Sequence, residues 1–236
     1  MSVLKFSLVR KDGHKHPLEF QARRLLLAGF TARNQEAAMK HVEELRSHGI
    51  AAPDKIPSYY PVPRDLVTTD EEIEVLGSST SGEVEVVFLF QGGTIYVGVG
   101  SDHTDRDLEK VSIAKSKVMC SKVLSKELWN YEEIKAGWDR LILRSWIEEG
   151  REKRLYQEGP MNAFLEPEEL IRLTREQTRD GDLRGMALFL GTLPTLQKGF
   201  VFSNTFEGEL IDESLRRRLS FRYRVSPIDL LSNKVS

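Results

Sequence analysis

Residues 82–120 read GEVEVVFLFQGGTIYVGVGSDHTDRDLEKVSIAKSKVMC, and the Gly92-Gly93 pair inside them sets the register of what surrounds it. Val84 to Phe90 and Thr94 to Val99 are rich in β-branched and aromatic residues. Two glycines between such runs predict a two-residue hairpin loop, because both turn positions take positive φ at little steric cost. With the glycines at the centre, Gln91 faces Thr94, Val87 faces Gly98 and Glu83 faces Asp102. Strand side chains alternate, so Glu83 and Glu85 share a face and Asp102 arrives on it from across the ladder. Like charges opposite one another cost roughly 0.2–1 kcal/mol, and a divalent cation is the compensation. All-oxygen ligation favours Mg2+, Mn2+ or Ca2+ over zinc. Gly98 and Gly100 fall on the same face and are expected to leave open room above the ion. The other reading of these residues is an edge hairpin with solvated glutamates, Asp102 capping the charged run Asp105 to Lys110.

Upstream, an alternating run from Val3 to Val9, a turn at Asp12-Gly13 and an apolar stretch from Leu18 to Phe30 predict a strand, a turn and a further element. Ala37, Ala38, Val42 and Leu45 recur at helical spacing, with Asn34 as N-cap and Gly49 as the stop. Pro53, Pro57, Pro61 and Pro63 exclude regular helix and a sheet interior, since proline lacks the amide donor. Pro53 to Pro63 is therefore expected to be a connector or active-site loop, with Tyr59, Tyr60 and Arg64 placed to close over a ligand. The boundary between a small N-terminal α/β cap, 1–76, and the core, 77–236, is drawn after it. Downstream, Leu141 to Glu148 and Arg151 to Gln157 suggest a second hairpin around Gly150, and Pro167 to Gln177 a helix. Met186 to Leu190, Phe200 to Phe202 and Leu219 to Val225 read as strands of a mostly β core.

A chain of 236 residues, 40% hydrophobic and 30% charged, suits one globular unit with a small appendage and excludes a disordered tail protein. Lys and Arg total 34 against 36 Asp and Glu, a net charge of -2, so neither nucleic acid nor membrane is an expected partner. A single cysteine forms no internal disulfide and no cysteine-rich zinc site, which fits a reducing compartment, and a cytoplasmic location is expected. Apolar runs such as Val86 to Phe90 fall far short of the roughly 20 residues that span a bilayer. Met1 to Arg10 lacks the charged start, apolar middle and cleavage site of a signal peptide.

The same stretch resembles the core of the fumarylacetoacetate hydrolase family. Members carry a Glu-x-Glu strand, then an Asp followed by Ser or Thr and an Arg-Asp pair, then an Ala-Lys-Ser. Here these stand as Glu83-Val84-Glu85, Asp102-His103-Thr104-Asp105-Arg106-Asp107 and Ala114-Lys115-Ser116. Gln157-Glu158-Gly159 and Leu190-Gly191-Thr192-Leu193-Pro194 match the family's Gln-x-Gly and Gly-Thr-Pro less closely, with Leu193 inserted. The resemblance spans roughly residues 77 to 225. It implies an α+β fold, a compact mixed β-roll core with peripheral helices. It implies Mg2+ or Mn2+, with Ca2+ as a substitute in crystals, held by Glu83, Glu85 and Asp102. Small oxo-acid substrates and a homodimer are implied as well. Family chemistry includes carbon–carbon bond hydrolysis in acylpyruvates, hydration, decarboxylation and isomerisation, sharing the formation of an enol or enolate.

A cation chelated by a 2-oxo carboxylate polarises the carbonyl and stabilises negative charge developing beside it. Lys115 is expected to add a fixed positive charge near that oxyanion. Arg106 either clamps a substrate carboxylate through parallel hydrogen bonds or pairs within Asp105-Arg106-Asp107. Thr192, by resemblance, lies beside the substrate carboxylate, and Tyr60 belongs to the lid. Hydrolytic members carry an upstream His and Glu that activate water, yet no histidine lies between His48 and His103. His103, next to a ligand, is expected on the opposite face, and Glu109 stands where the family has Gln. Cys120, Trp129, Trp138 and Trp146 read as structural. The leading expectation is a metal-dependent hydrolase or lyase cleaving a carbon–carbon bond in a small 2-oxo acid. The rivals are a hydratase or decarboxylase on the same scaffold and a non-catalytic metabolite-binding protein.

Overall fold

The Gly92-Gly93 turn closes with φ of 58° and 81°. Strand Val84–Gln91 pairs antiparallel with Thr94–Asp102, Gln91 facing Thr94 and Val87 facing Gly98 as expected. This hairpin is the centre of a ten-stranded mixed sheet in a computed structural model that describes residues 3–47, 52–150 and 152–229. Across the sheet the order is Lys15–Gln21, Val3–Val9, Glu127–Asn130, Thr94–Asp102, Val84–Gln91, Met186–Thr192, Arg24–Gly29 and Ser58–Val62. Lys122–Leu124 also pairs with the hairpin and with Val67–Thr68. Strands from 1–76 and from 77–236 thus share one sheet: Arg24–Gly29 runs parallel to Met186–Thr192, and Val3–Val9 parallel to Glu127–Asn130.

A five-stranded sheet lies against it, in the order Glu152–Pro160, Ile142–Glu149, Thr205–Asp212, Arg217–Pro227 and Glu72–Val75. Val84, Val86 and Phe88 pack with Leu143, Phe206, Leu210 and Leu219 in the core between the sheets. Val87 and Leu89, on the alternate face, pack in a second core with Phe20, Leu27, Val62 and Phe189. Phe20 and Val62 come from opposite edges of the ten-stranded sheet, so that sheet curls around the second core. Burial on both faces is why Val86 to Phe90 is continuously apolar. The result is the α+β fold expected, with helices Gln35–Ser47 and Pro167–Gln177 at the periphery. Asn34 caps the first, its Oδ1 accepting from Ala37 N at 3.0 Å; Gly49, its expected stop, lies outside the described residues.

Several expectations are corrected. Ser58–Val62 is a strand and not a loop, and it includes Pro61. It terminates the sheet path, where a missing amide donor is tolerated. The Leu18 to Phe30 stretch divides into Lys15–Gln21 and Arg24–Gly29. Phe200 to Phe202 forms no strand; the Phe200 ring instead lies 3.8 Å from the Arg106 guanidinium carbon. The space above Gly98 and Gly100 is filled: a Cβ on Gly100 would lie 2.4 Å from the Val123 carbonyl oxygen, and one on Gly98 2.9 Å from Leu128. Those glycines serve close strand packing, and open space lies beyond the carboxylates instead.

His103 faces the five-stranded sheet, as alternation requires, with Nδ1 2.8 Å from Tyr223 Oη and Nε2 2.9 Å from Thr80 Oγ1. Burial, reinforced by the nearby Lys122 and Arg106 charges, pushes its pKa down to about 3. The unfolded chain binds a proton here from about pH 6.5 downward that the folded chain refuses until about pH 3. Stability from this residue is complete above pH 6.5 and falls by up to about 1.4 kcal/mol for each unit below it. Urea unfolding from pH 7.5 to 4.5 should show a shallower acid-side decline in His103→Gln than in wild type; equal slopes would contradict this account. Gly100→Ala should lower unfolding free energy by about 1–3 kcal/mol, because the obstructing atom is backbone and cannot swing away.

Candidate metal centre

The hairpin register brings oxygens of Glu83, Glu85 and Asp102 within 4.8 Å of one another. Asp102 N donates to the Glu83 carbonyl at 3.0 Å, which continues the ladder one pair beyond Val84 and Ser101. Glu85 and Asp102 are 2% and 0% exposed. A charged carboxylate so buried needs compensation, and three cations supply it. Lys117 Nζ donates to Asp102 Oδ2 and lies 3.4 Å from Glu83 Oε2. Lys122 Nζ is 3.0 Å from Asp102 Oδ1 and donates to the carbonyls of His103 and Cys120 at 2.6 and 2.9 Å. Arg106 Nη2 is 3.1 Å from Glu83 Oε1, while Nη1 donates to Glu109 at 2.8 Å and Nε to Ser81 Oγ at 2.7 Å.

Glu85 is held differently. Its Oε2 accepts from the amide of Gly191 at 2.8 Å. Gly191 has φ +96°, and a Cβ there would lie 2.3 Å from Thr31 Oγ1, so the amide reaches the carboxylate because the residue is glycine. Burial, together with the Asp102 and Glu83 charges, pushes the Glu85 pKa well above the usual carboxylate range, against the pull of Lys117 and Gly191. Asp102 feels the same burial, but Lys117 and Lys122 outweigh it and hold its pKa at about 2. Lys117 is buried too, and its carboxylate neighbours raise its pKa regardless, so it is a stable ammonium.

The cluster opens on a cavity of about 540 Å3 whose wall includes Glu83, Glu85, Arg106, Lys117, Tyr60 and Thr192. Five of the six residues expected to bind metal or substrate therefore line one space with Asp102 behind them. Lys115 is exposed, and Lys117 occupies the place expected of it. The cause is helical phase on Ile113–Val118: Ile113 and Lys117, four apart, share the cavity face, while Lys115 is rotated about 200° from Lys117. The Thr192 hydroxyl donates to the Val84 carbonyl and accepts from Gln157 Nε2, both at 2.8 Å, so its proton is committed to the strand end. Arg106 is both readings at once: ion-paired to Glu83 and Glu109, and part of the cavity wall, with Nη2 lacking a well-formed hydrogen bond.

Gln157 was not among the expected ligand-contacting residues, yet it is buried on the cavity wall. Its Gln-x-Gly context was the available signal. A second cleft of about 600 Å3 runs past Lys126, Arg222 and Arg224. Those cations are paired with Glu71, Glu148 and Glu72 respectively, which leaves the cleft without the concentrated charge of the first. The triad suits a hard divalent ion: its donors are all oxygen, and their separation compares with the ~4–5 Å between oxygens facing each other across Mg2+ or Ca2+.

Solved structures share this fold. 2-Keto-3-deoxyarabinonate dehydratase aligns with TM-score 0.65 and 19% identity, over 89% of this chain and 75% of the enzyme. The same dehydratase complexed with magnesium and 2,5-dioxopentanoate aligns with TM-score 0.62 and 19% identity, over 88% and 74% of the two chains. 4-Oxalocrotonate decarboxylase from Pseudomonas putida G7, complexed with magnesium and adipate, aligns with TM-score 0.54 and 14% identity, over 89% and 78%. No curated protein matches the sequence. No helix among the described residues is long and apolar enough to cross a membrane. Residues 28–223 match the family model described as protein of unknown function (DUF2848), and the chain belongs to that family.

Proposed function

We propose that the protein is a divalent-metal-dependent lyase of small 2-oxo acids, removing water or carbon dioxide from its substrate, on a fumarylacetoacetate-hydrolase-like scaffold. The observation that carries this is the convergence of Glu83, Glu85 and Asp102 on a cavity that also holds two cationic side chains, Arg106 and Lys117. Glu83, Glu85 and Asp102 are the residues that would hold Mg2+ or Mn2+. The bound ion supplies Lewis-acid polarisation of a 2-oxo carbonyl. Arg106, held by Glu109 and Ser81 and covered by Phe200, directs a fixed positive charge at the substrate carboxylate. Lys117 carries the proton that is delivered to the new carbanionic carbon when carbon dioxide leaves; in dehydration it delivers that proton to the leaving hydroxyl and regains one from the carbon next to the carbonyl. Tyr60 bounds the cavity as an aromatic wall. A homodimer and a cytoplasmic location belong to the same reading.

Elimination of water or carbon dioxide is favoured over carbon–carbon hydrolysis by the cavity wall, which includes no histidine among the described residues. A single proton shuttle beside the cation serves elimination, whereas hydrolysis also needs a base for water. Support comes too from the shared fold with a dehydratase and a decarboxylase whose structures hold magnesium and small dicarbonyl or dicarboxylate ligands.

The test is turnover of a 2-keto-3-deoxy sugar acid, oxaloacetate and an acylpyruvate, each with Mg2+, with Mn2+ and with EDTA. Metal-dependent consumption of one of the first two is expected, with a loss of about 100-fold or more in Glu85→Ala. Preferential cleavage of the acylpyruvate would overturn the lyase assignment, and turnover unaffected by EDTA would overturn the metal.

A further inference from the structure

Three carboxylates, Glu83, Glu85 and Asp102, meet three cations, Arg106, Lys117 and Lys122, and Arg106 pairs with a fourth carboxylate, Glu109. The cations differ in what else holds them. Lys122 is 0% exposed and bonded to two backbone carbonyls. Arg106 is fixed by Ser81, by Glu109 and by the Phe200 ring. Among the described residues, the hydrogen bonds of the Lys117 ammonium go to the triad alone. Its side chain lines the cavity, with the Tyr60 ring 5.9 Å from Nζ.

We propose that Lys117 is a tethered cation seated in the carboxylate triad, and that a divalent ion enters by displacing its ammonium into the substrate cavity. The proposal rests on the reading of the triad as a divalent-cation site. A divalent ion added beside all three fixed cations would leave the buried cluster with excess positive charge, which low-dielectric surroundings penalise heavily. The cation that yields is the one whose hydrogen bonds, among the described residues, go to the triad alone. Once displaced along the Tyr60 ring, the ammonium stands in the cavity, where an anionic oxo-acid meets it. Metal and substrate are then bound synergistically, each supplying what the other's site lacks. Without metal, the lysine keeps Asp102 and Glu83 paired and the fold intact.

Titration calorimetry of the full chain with MgCl2 tests this, with thermal unfolding in EDTA and in Mg2+ as a second readout. Lys117→Met and Lys117→Gln remove the competing charge and should bind Mg2+ at least tenfold more tightly than wild type. Their melting temperature should be lower in EDTA and rise more on adding Mg2+. Lys117→Arg keeps the charge and should bind no more tightly than wild type. Folded neutral variants that bind Mg2+ no better than wild type would overturn the proposal while leaving the metal site standing. Absence of Mg2+ binding in wild type and variants alike would overturn both. Should Met and Gln variants both fail to fold even in Mg2+, the ion does not replace the ammonium and the proposal fails.

Discussion

The structure depends on electrical balance in a place water does not reach. Glu85 and Asp102 lie at the end of a largely apolar hairpin, and neither is exposed enough to be stabilised by solvent. Stripping one partner from a buried ion pair costs about 3–5 kcal/mol, a large fraction of the ~5–15 kcal/mol that holds a domain together. The cations around these carboxylates are therefore part of the fold as much as of the site. A cluster this concentrated is not a stability device in itself, since well-packed apolar residues do as well or better in such positions. Its place beside a cavity suits a ligand that uses the charges.

The two core faces explain why the carboxylates are where they are. Even-numbered residues of Val84–Gln91 serve the core between the sheets and odd-numbered ones the core inside the curled sheet. Glu83 and Glu85 continue the odd series past Val87, to the point where the second core ends and the cavity begins. A one-residue slip would send both glutamates into the packed face beside Phe206 and Phe221. Gly100 pins the register from the other strand, since only a hydrogen atom fits under the Val123 carbonyl.

What was legible in the sequence follows from this geometry. Alternation and a Gly-Gly turn are local signals, and they placed Glu83, Glu85 and Asp102 together and His103 apart from them. The Ala114-Lys115-Ser116 motif pointed to Lys115 and left Lys117, two residues on, unnoticed. Helical phase, with Ile113 four residues before Lys117, distinguished them, yet a six-residue helix offers too few turns to read a phase with assurance. Pro61 misdirected the reading because a proline excludes a strand only from a sheet's interior, and being at the edge is a property of the whole sheet. Phe200 gave no local clue, for its partner Arg106 is distant in sequence. In residues 28–76 the site signal was confined to the proline-rich stretch with Tyr59, Tyr60 and Arg64, and nothing local marked Ala28, Gly29 and Phe30, which also form part of the cavity wall.

The five-stranded sheet braces the carboxylate cluster without contributing a carboxylate to it. Gln157, on Glu152–Pro160, accepts from Val84 N at 3.1 Å and from Ser145 Oγ at 2.9 Å, and donates to Thr192 Oγ1 and the Leu193 carbonyl. Thr192 returns a hydrogen bond to the Val84 carbonyl. One buried amide thus ties the backbone just before Glu85 to the backbone just after Gly191. The pairing between these strands shifts register between Phe189 and Thr192, and the irregularity turns the Gly191 amide onto the Glu85 carboxylate. Replacing Gln157 with an apolar residue would leave the Val84 amide and the Leu193 carbonyl without their side-chain partner and loosen both supports of Glu85. A carboxylate whose oxygen is aimed by a backbone amide keeps its other oxygen directed at the triad, a pre-organisation that a solvated glutamate lacks. The site is therefore a property of the contact between two sheets: the hairpin supplies its oxygens, Gly191 on the adjacent strand aims Glu85, and Gln157 from the five-stranded sheet braces both strands.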